Sequence, residues 1–404
     1  MSRLDELIQK LCPDGVEYKK IGDLGRIAMC KRILKSQTSS DGDIPFYKIG
    51  TFGGSANAFI SKELFNDYSE KYSYPRKGNI LISAAGTVGR TVIFDGTPSY
   101  FQDSNIVWLE HDNTKVIDRY LMYIYETKPW KTSEGGTIAR LYNDNILGAV
   151  IPVPPLEIQQ EIVRILDNFT ELTAELNKKL SEELIARRKQ YEYYRDELLT
   201  FGDDVTLVRL KDVSKLYNGD RGKNYPKQSD LVNEGIPFVN AGDINGTVDY
   251  EGCKKISSAK YASMGGAKLK KHDILYCLRG STGKNGVFMQ DEGTVASSLL
   301  AIRANESIDY RFLFYLLNSS MELRQRLKSD TGAAQPNLSA ESVGNYVFPL
   351  PSLKRQLEIV GILNRYDALY SKVSFGLTAE IEDRTKQYEY YRNKLLSFKR
   401  KEAS

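Results

Sequence analysis

Residues 151–201 read IPVPPLEIQQEIVRILDNF…KQYEYYRDELLTF, and residues 348–398 read FPLPSLKRQLEIVGILNRY…KQYEYYRNKLLSF. The two stretches align without a gap at a constant offset of 197, with 23 identities in 51 positions where chance gives about three. The chain therefore carries an internal duplication, and any fold must supply two equivalent halves.

Each copy opens on prolines, Pro152 and Pro154 in one and Pro349 and Pro351 in the other. Proline fits just before or within the first turn of a helix, so a helix is expected to follow. From residue 156 to 201 there is neither Gly nor Pro, and apolar residues recur at Ile158, Ile162, Ile165, Phe169, Leu172 and Leu176. Steps of four and three in alternation mark a coiled-coil seam. At 1.5 Å per residue such a helix reaches about 65 Å. Residues 173–184 shift to a four-residue beat that reads as a spacer. In the second copy Gly361 and Gly376 interrupt the pattern Ile359, Ile362, Tyr366, Leu369, Val373, Leu377 and Ile381. Each costs about 1 kcal/mol relative to Ala without breaking the helix.

Between the helices lie segments of another texture, rich in Gly, Ser, Asn and short β-branched or aromatic runs, which predict α+β globules of strands and loops. They match each other weakly. Ile44-Pro45-Phe46 corresponds to Ile236-Pro237-Phe238, Asn79-Ile80-Leu81 to Asp273-Ile274-Leu275, and Gly86-Thr87-Val88-Gly89-Arg90 to Gly280-Ser281-Thr282-Gly283-Lys284. The expected organisation is a first globule over 1–150 with a short leading helix, a helix over 151–201, a second globule over 202–347 and a second helix over 348–404. Asp5-Glu6-Leu7-Ile8 resembles Asp196-Glu197-Leu198-Leu199, so the leading helix replays the end of the first long one.

Composition narrows the function. With 56 Lys+Arg against 52 Asp+Glu in 404 residues, a nucleic-acid surface must come from segregated charge rather than from overall excess. No apolar run is long enough to span a membrane, and Met1-Ser2-Arg3-Leu4-Asp5-Glu6 lacks a signal peptide's apolar core, so a cytoplasmic protein is expected. Cys12, Cys30, Cys253 and Cys277 show no CxxC spacing and the only histidines are His111 and His272, which leaves a zinc site almost no ligands.

With these features the chain resembles the specificity subunits of type I restriction-modification enzymes. The resemblance covers essentially its whole length, and rests on IPVPPLEIQQEIVRIL with FPLPSLKRQLEIVGIL, the doubled KQYEYYR and the TAEL-like spacer. It implies two target-recognition domains, each reading one half of a bipartite, asymmetric duplex site, separated by a long antiparallel helical coiled coil. It further implies two docked methyltransferase subunits that use S-adenosylmethionine, and separate motor-nuclease subunits that use ATP and magnesium, with no cofactor bound by this chain. The spacer departs from a pure TAEL repeat, so the gap between half-sites does not carry over.

Catalytic motifs fail on inspection. Around Gly280-Ser281-Thr282-Gly283-Lys284 a phosphate-binding loop would need Gly where Leu278 stands and Ser or Thr where Asn285 stands. Pro13-Asp14 with Glu17-Tyr18-Lys19 superficially matches a metal-dependent nuclease core, but those parts normally come from different strands. No Asn/Asp-Pro-Pro-Tyr/Phe motif offers to hold a flipped adenine, and no GxGxxG opens a helix. The isolated chain is therefore expected neither to cleave nor to methylate DNA. Tyr191 and Tyr194, with Tyr388 and Tyr391, share helix faces and read as packing residues rather than base-stacking ones.

Reading a duplex needs cations for phosphates and forked or amide side chains for base edges. The candidates in Gly-rich or polar turns are Lys48, Thr87, Arg90, Gln102, Asn105 and Arg140 in the first globule. In the second they are Asn240, Asn245, Arg279, Ser281, Lys284, Gln335 and Asn337. Two other readings stay open at this point: a related bipartite system whose partner fuses methylation with cleavage, and a two-headed scaffold for protein modules.

Overall fold

A computed structural model describes residues 2–131, 140–329 and 337–402. The candidate Gln335 lies outside the described residues. The chain divides into two compact units, one of Met1–Lys179 with Ala379–Ser404, the other of Leu180–Thr378. Both long helices, Leu156–Leu198 and Leu353–Leu395, contribute a segment to each unit. Gly361 and Gly376 lie inside the second helix, and a Cβ at either would meet nothing within 4 Å. The helix absorbs them at the cost of backbone entropy alone.

In the first unit a four-stranded antiparallel sheet runs in the order Arg26–Ala28, Ile106–Glu110, Ile80–Ser83, Thr91–Ile93. Its central strands are apolar on both faces, and strand periodicity divides them between two cores. Ile80, Ile82, Val107 and Leu109 face a cluster shared with Tyr120, Leu121 and Ile124 of the helix Asp118–Glu126 and with Ile158, Ile162 and Leu166 of the first long helix. Leu81, Ile106 and Trp108 face a second cluster with Phe46, Phe52 and Tyr100. A three-stranded sheet, Phe59–Ile60, Ile44–Tyr47, Tyr100–Phe101, closes that side.

The second unit repeats the plan with one strand more in each sheet, five against four and four against three. Its five-stranded sheet runs Ser214–Asn218, Leu299–Ala304, Ile274–Cys277, Asn285–Val287, Ile244–Val248. Ile274, Tyr276, Leu300 and Ile302 pack on Phe312, Leu313, Leu316, Ile359 and Leu363, while Leu275, Cys277, Leu299 and Ala301 pack on Val239, Ile244 and Phe288. Each unit also pairs a short strand after one helix end with the proline strand that opens a long helix, Tyr18 opposite Pro152 and Leu207 opposite Pro349. In the first unit the Val16 N–H donates to the Lys399 carbonyl at 2.8 Å, and the Lys401 N–H donates to that of Val16 at 3.0 Å. This ties the end of the second long helix back to the first strand.

The long helices run antiparallel in both units. In the first, Phe169 stacks on Tyr391 with ring centroids 6.0 Å apart, and Thr170 Oγ1 donates to Tyr388 Oη at 3.2 Å. In the second, Tyr191 stacks on Tyr370 at 5.1 Å and Tyr194 tilts against Tyr366 at 5.9 Å. The aromatic repeat is thus helix-to-helix packing, as its spacing predicts. Beyond the first turns the seam is open, with Leu172 63% and Leu369 60% exposed.

Candidate nucleic-acid interface

Backbone hydrogen bonds identify equivalent stations in the two units. Leu141 N–H donates to the Ala84 carbonyl as Leu338 N–H does to that of Leu278, both at 2.9 Å. Gln102 N–H donates to Tyr47 as Ala296 N–H does to Val239, again at 2.9 Å. Gly89 N–H reaches Ser83 at 2.9 Å, and Gly283 N–H reaches Cys277 at 3.0 Å. Ala84 N–H reaches Asn105 at 2.7 Å, and Leu278 N–H reaches Ser298 at 2.8 Å. One peptide frame therefore presents Lys48 where the other presents Asn240, Thr87 where it presents Ser281, Arg90 where it presents Lys284, and Arg140 where it presents Asn337.

The turns at these stations need glycine. Gly86 and Gly89 have φ of +67° and +78°, and Gly280 and Gly283 have +76° and +84°, the left-handed region that costs an L side chain energy. Both turns project polar tips while the strands before them are buried.

In the first unit Lys48, Gln102, Asn105 and Arg140 line one cleft together with Arg32, Lys35 and Asp103. Lys48 and Arg140 are exposed there. Gln102 is committed to the frame, its Oε1 accepting the Ile49 N–H at 2.9 Å and so fixing the turn that carries Lys48. Thr87 and Arg90 are not among that cleft's lining residues. The Arg90 guanidinium reaches the Gly53 carbonyl at 3.3 Å, which turns part of its donor capacity inward.

In the second unit Arg279 and Asn337 line a cleft with Asn218, Asp220, Arg221 and Ser339. Ser281 is exposed and Lys284 half-buried on the adjoining turn. Asn240 spends its amide locally, donating through Nδ2 to the Phe238 carbonyl at 3.2 Å. Asn245 is exposed on the strand Ile244–Val248 and is not among the lining residues of that cleft.

Sequence reasoning passed over Arg32, Lys35, Asp220 and Arg221. The signal was present as a cation-bearing loop directly after an equivalent strand in each half, Lys31-Arg32-Ile33-Leu34-Lys35 and Asp220-Arg221-Gly222-Lys223. Arg32 carries an ion pair to Asp103 at 2.9 Å, which orders it without burying it.

The thiols of Cys30 and Cys277 are pushed up to about 12 and about 11 by burial, so both are protonated at neutral pH. Among the described residues no group of three His, Cys, Asp or Glu side chains converges on a metal position, and no helix is long and apolar enough to cross a membrane.

Comparison with known proteins follows the same duplication. A putative type I restriction enzyme specificity subunit of Haemophilus influenzae is 58% identical over 182 residues, 45% of this chain and 47% of that protein. The EcoR124I/EcoR124II specificity subunit of Escherichia coli is 31% identical over 72% of this chain and 74% of its own length. A putative specificity subunit of Mycoplasma pneumoniae is 26% identical over 94% of this chain and 97% of its own. In fold, the chain resembles one from a structure on assembly and conformational transition of the type I system, with a TM-score of 0.72 and 15% identity over 96% of this chain and 98% of that one. It also resembles the HsdS subunit of Thermoanaerobacter tengcongensis, with a TM-score of 0.50 and 16% identity over 96% and 97%. The family model for the type I restriction modification DNA specificity domain matches residues 13–186 and again 202–383, and the chain belongs to that family.

Proposed function

We propose that each unit reads one half of a bipartite duplex DNA site through the cleft at the ends of its central strands, and that the chain works by recognition rather than turnover. The long helices set the distance between half-sites and seat two methyltransferase subunits that use S-adenosylmethionine. Motor-nuclease subunits that use ATP and magnesium join the same cytoplasmic assembly. The observation that carries this reading is the repeated peptide frame with different side chains at matching stations. A shared frame gives both units one way of approaching a groove, while Lys48 against Asn240 and Arg140 against Asn337 give the matching stations different chemistry.

The test is selection of duplexes from a random library by the purified chain, alone and with its modification partner, at 50 and 200 mM salt. Two short conserved islands at a fixed gap are expected, with affinity falling steeply as salt rises because phosphate contacts release counterions. Exchange of residues 203–347 for those of a relative should then alter one island only. Enrichment of no sequence, or binding indifferent to salt, would refute the reading.

A further inference from the structure

We infer that Arg279 reads a guanine in the half-site of the second unit and that Asn337 is its positioning residue; this rests on the DNA reading above and gives it a chemical letter. Arg279 stands two residues past the buried strand Ile274–Cys277 and is exposed. Its Nε donates to Asn337 Oδ1 at 3.2 Å, and the two residues form a β-bridge next to the Leu338–Leu278 hydrogen bond. Both backbones are therefore fixed. With Nε committed, Nη1 and Nη2 remain as a two-donor fork, and Asn337 is the guanidinium's one hydrogen-bond partner among the described residues.

Such a fork fits the O6 and N7 acceptors of guanine in the major groove, and it also fits a phosphate. Asp220 decides between them. It lines the same cleft, is 9% exposed, and its Oδ2 has no hydrogen-bond partner. Among the described residues no ion pair joins it to Arg279, so the fork is not spent on it. A buried carboxylate with one unpartnered oxygen in the same cleft disfavours a phosphate anion there but tolerates a neutral base edge. The partner cytosine of a G·C pair adds an amino donor on the same groove edge, which suits a nearby acceptor. In the first unit Ala85 occupies the station of Arg279 and Arg140 that of Asn337, so this constellation belongs to the second unit alone.

The experiment uses the full chain with duplexes carrying its selected site, each position of both half-sites replaced in turn, and affinities from fluorescence anisotropy. For the unaltered chain, replacing one guanine in the island that moves with residues 203–347 should weaken binding by roughly 10- to 100-fold. In Arg279→Ala that position becomes indifferent while every other position, including the whole of the other island, keeps its ratio. Asn337→Ala lowers the same ratio several-fold, and Asn337→Asp, which keeps an acceptor for Nε, restores most of it. A structural defect would instead lower all affinities together with the melting temperature, and Arg279→Lys provides a second variant should the alanine one fold poorly. Uniform weakening of every duplex with the guanine preference intact identifies a phosphate contact and overturns the inference. So does a selected island for this unit with no guanine. Failure of the unaltered chain to select any island is a different result, and it refutes the proposed function itself.

Discussion

Gln159 and Gln356, 197 residues apart, perform the same task in the two units. Each is fully buried. Gln159 Oε1 accepts the Ile117 N–H at 3.0 Å, while its Nε2 donates to the carbonyls of Lys115 and Pro154, both at 2.8 Å. Gln356 Oε1 accepts the Asp309 N–H at 2.8 Å, while its Nε2 donates to those of Ser307 at 3.1 Å and Pro351 at 2.8 Å. One amide thus pins the start of a long helix to the start of the globule's own helix.

Gln159→Ala leaves one buried N–H and two carbonyls short of partners, and each orphaned group costs about 1–3 kcal/mol before relaxation. Shared accommodation by water brings the expected loss to about 3 kcal/mol. Hydrogen exchange of peptides covering residues 115–126 should accelerate accordingly, with residues 307–317 unaffected. Gln356→Ala should show the mirror pattern. Exchange rates that rise equally in both units would mean that the glutamines are not local pins.

The turn that carries Ser281 is more constrained than its sequence suggests. A Cβ on Gly283 would lie 2.3 Å from Arg326 Nε, and Arg326 is itself held by Glu322 at 2.9 Å, so it has little freedom to withdraw. A Cβ on Gly280 would meet nothing within 4 Å. Gly280→Ala should therefore cost only the backbone term of about 1 kcal/mol. Gly283→Ala should cost about 2–3 kcal/mol and weaken binding to the second unit's half-site. Urea unfolding of the two variants compares them directly, and equal losses would show that Arg326 moves aside freely.

The repeat itself was legible because it is written in identical residues at one offset, and the long helices because no Gly or Pro interrupts the first. The paired strand ends were legible in part, since Ile-Pro-Phe and the glycine turns recur in both halves. The double-sided burial of Ile80–Ser83 was not, because a run of four apolar or small residues has no alternation from which to infer which face meets which core. Nor could the sequence separate Gln102 and Asn240 from the exposed polar residues around them. Both are amides in turns, and only in the folded chain is Gln102 bound to Ile49 and Asn240 to Phe238. Gln159 and Gln356 stood in plain view as an identity of the repeat, but nothing in the spacing distinguishes a pin inside the helix from a solvated side chain.

Glu322 makes stability depend on pH. It is buried and accepts from Tyr276 Oη and Arg326, and burial, the largest influence, holds its carboxyl above the ordinary 4.5. A raised carboxyl binds its proton more tightly in the folded chain than in the unfolded one. Its contribution is therefore complete below 4.5 and is lost as pH rises through the folded value. Glu322→Gln stays neutral throughout. The urea midpoint of the variant relative to the parent should climb between pH 4 and pH 8, and a difference constant with pH would mean that the carboxyl is not raised.

The aromatic seam should be energetically unequal in the two units although the repeat is the same. Tyr191 and Tyr388 are equivalent, but the residue facing Tyr191 is Tyr370, whereas its counterpart for Tyr388 is Thr173. Tyr191 stacks on Tyr370 at an interplanar angle of 21°, a geometry that contributes about 0.5–1.5 kcal/mol beyond burial. Among the described residues no ring stacks on Tyr388, and instead its hydroxyl accepts from Thr170 and lies 3.4 Å from Glu126, which also takes an ion pair from Arg392 at 3.0 Å. A double-mutant cycle of Tyr191→Ala with Tyr370→Ala should therefore give a coupling of about 1 kcal/mol, because each single change already abolishes the stack. The matching cycle of Tyr388→Ala with Thr173→Ala should be additive within about 0.3 kcal/mol, since those residues share no stack to lose twice. Tyr388→Phe separates the two cases further, as it removes the hydroxyl contacts while keeping the ring and should cost about 1 kcal/mol in the first unit. If the Tyr191 and Tyr370 losses add without coupling, the stack is an incidental neighbour relation that contributes nothing beyond the burial of its rings.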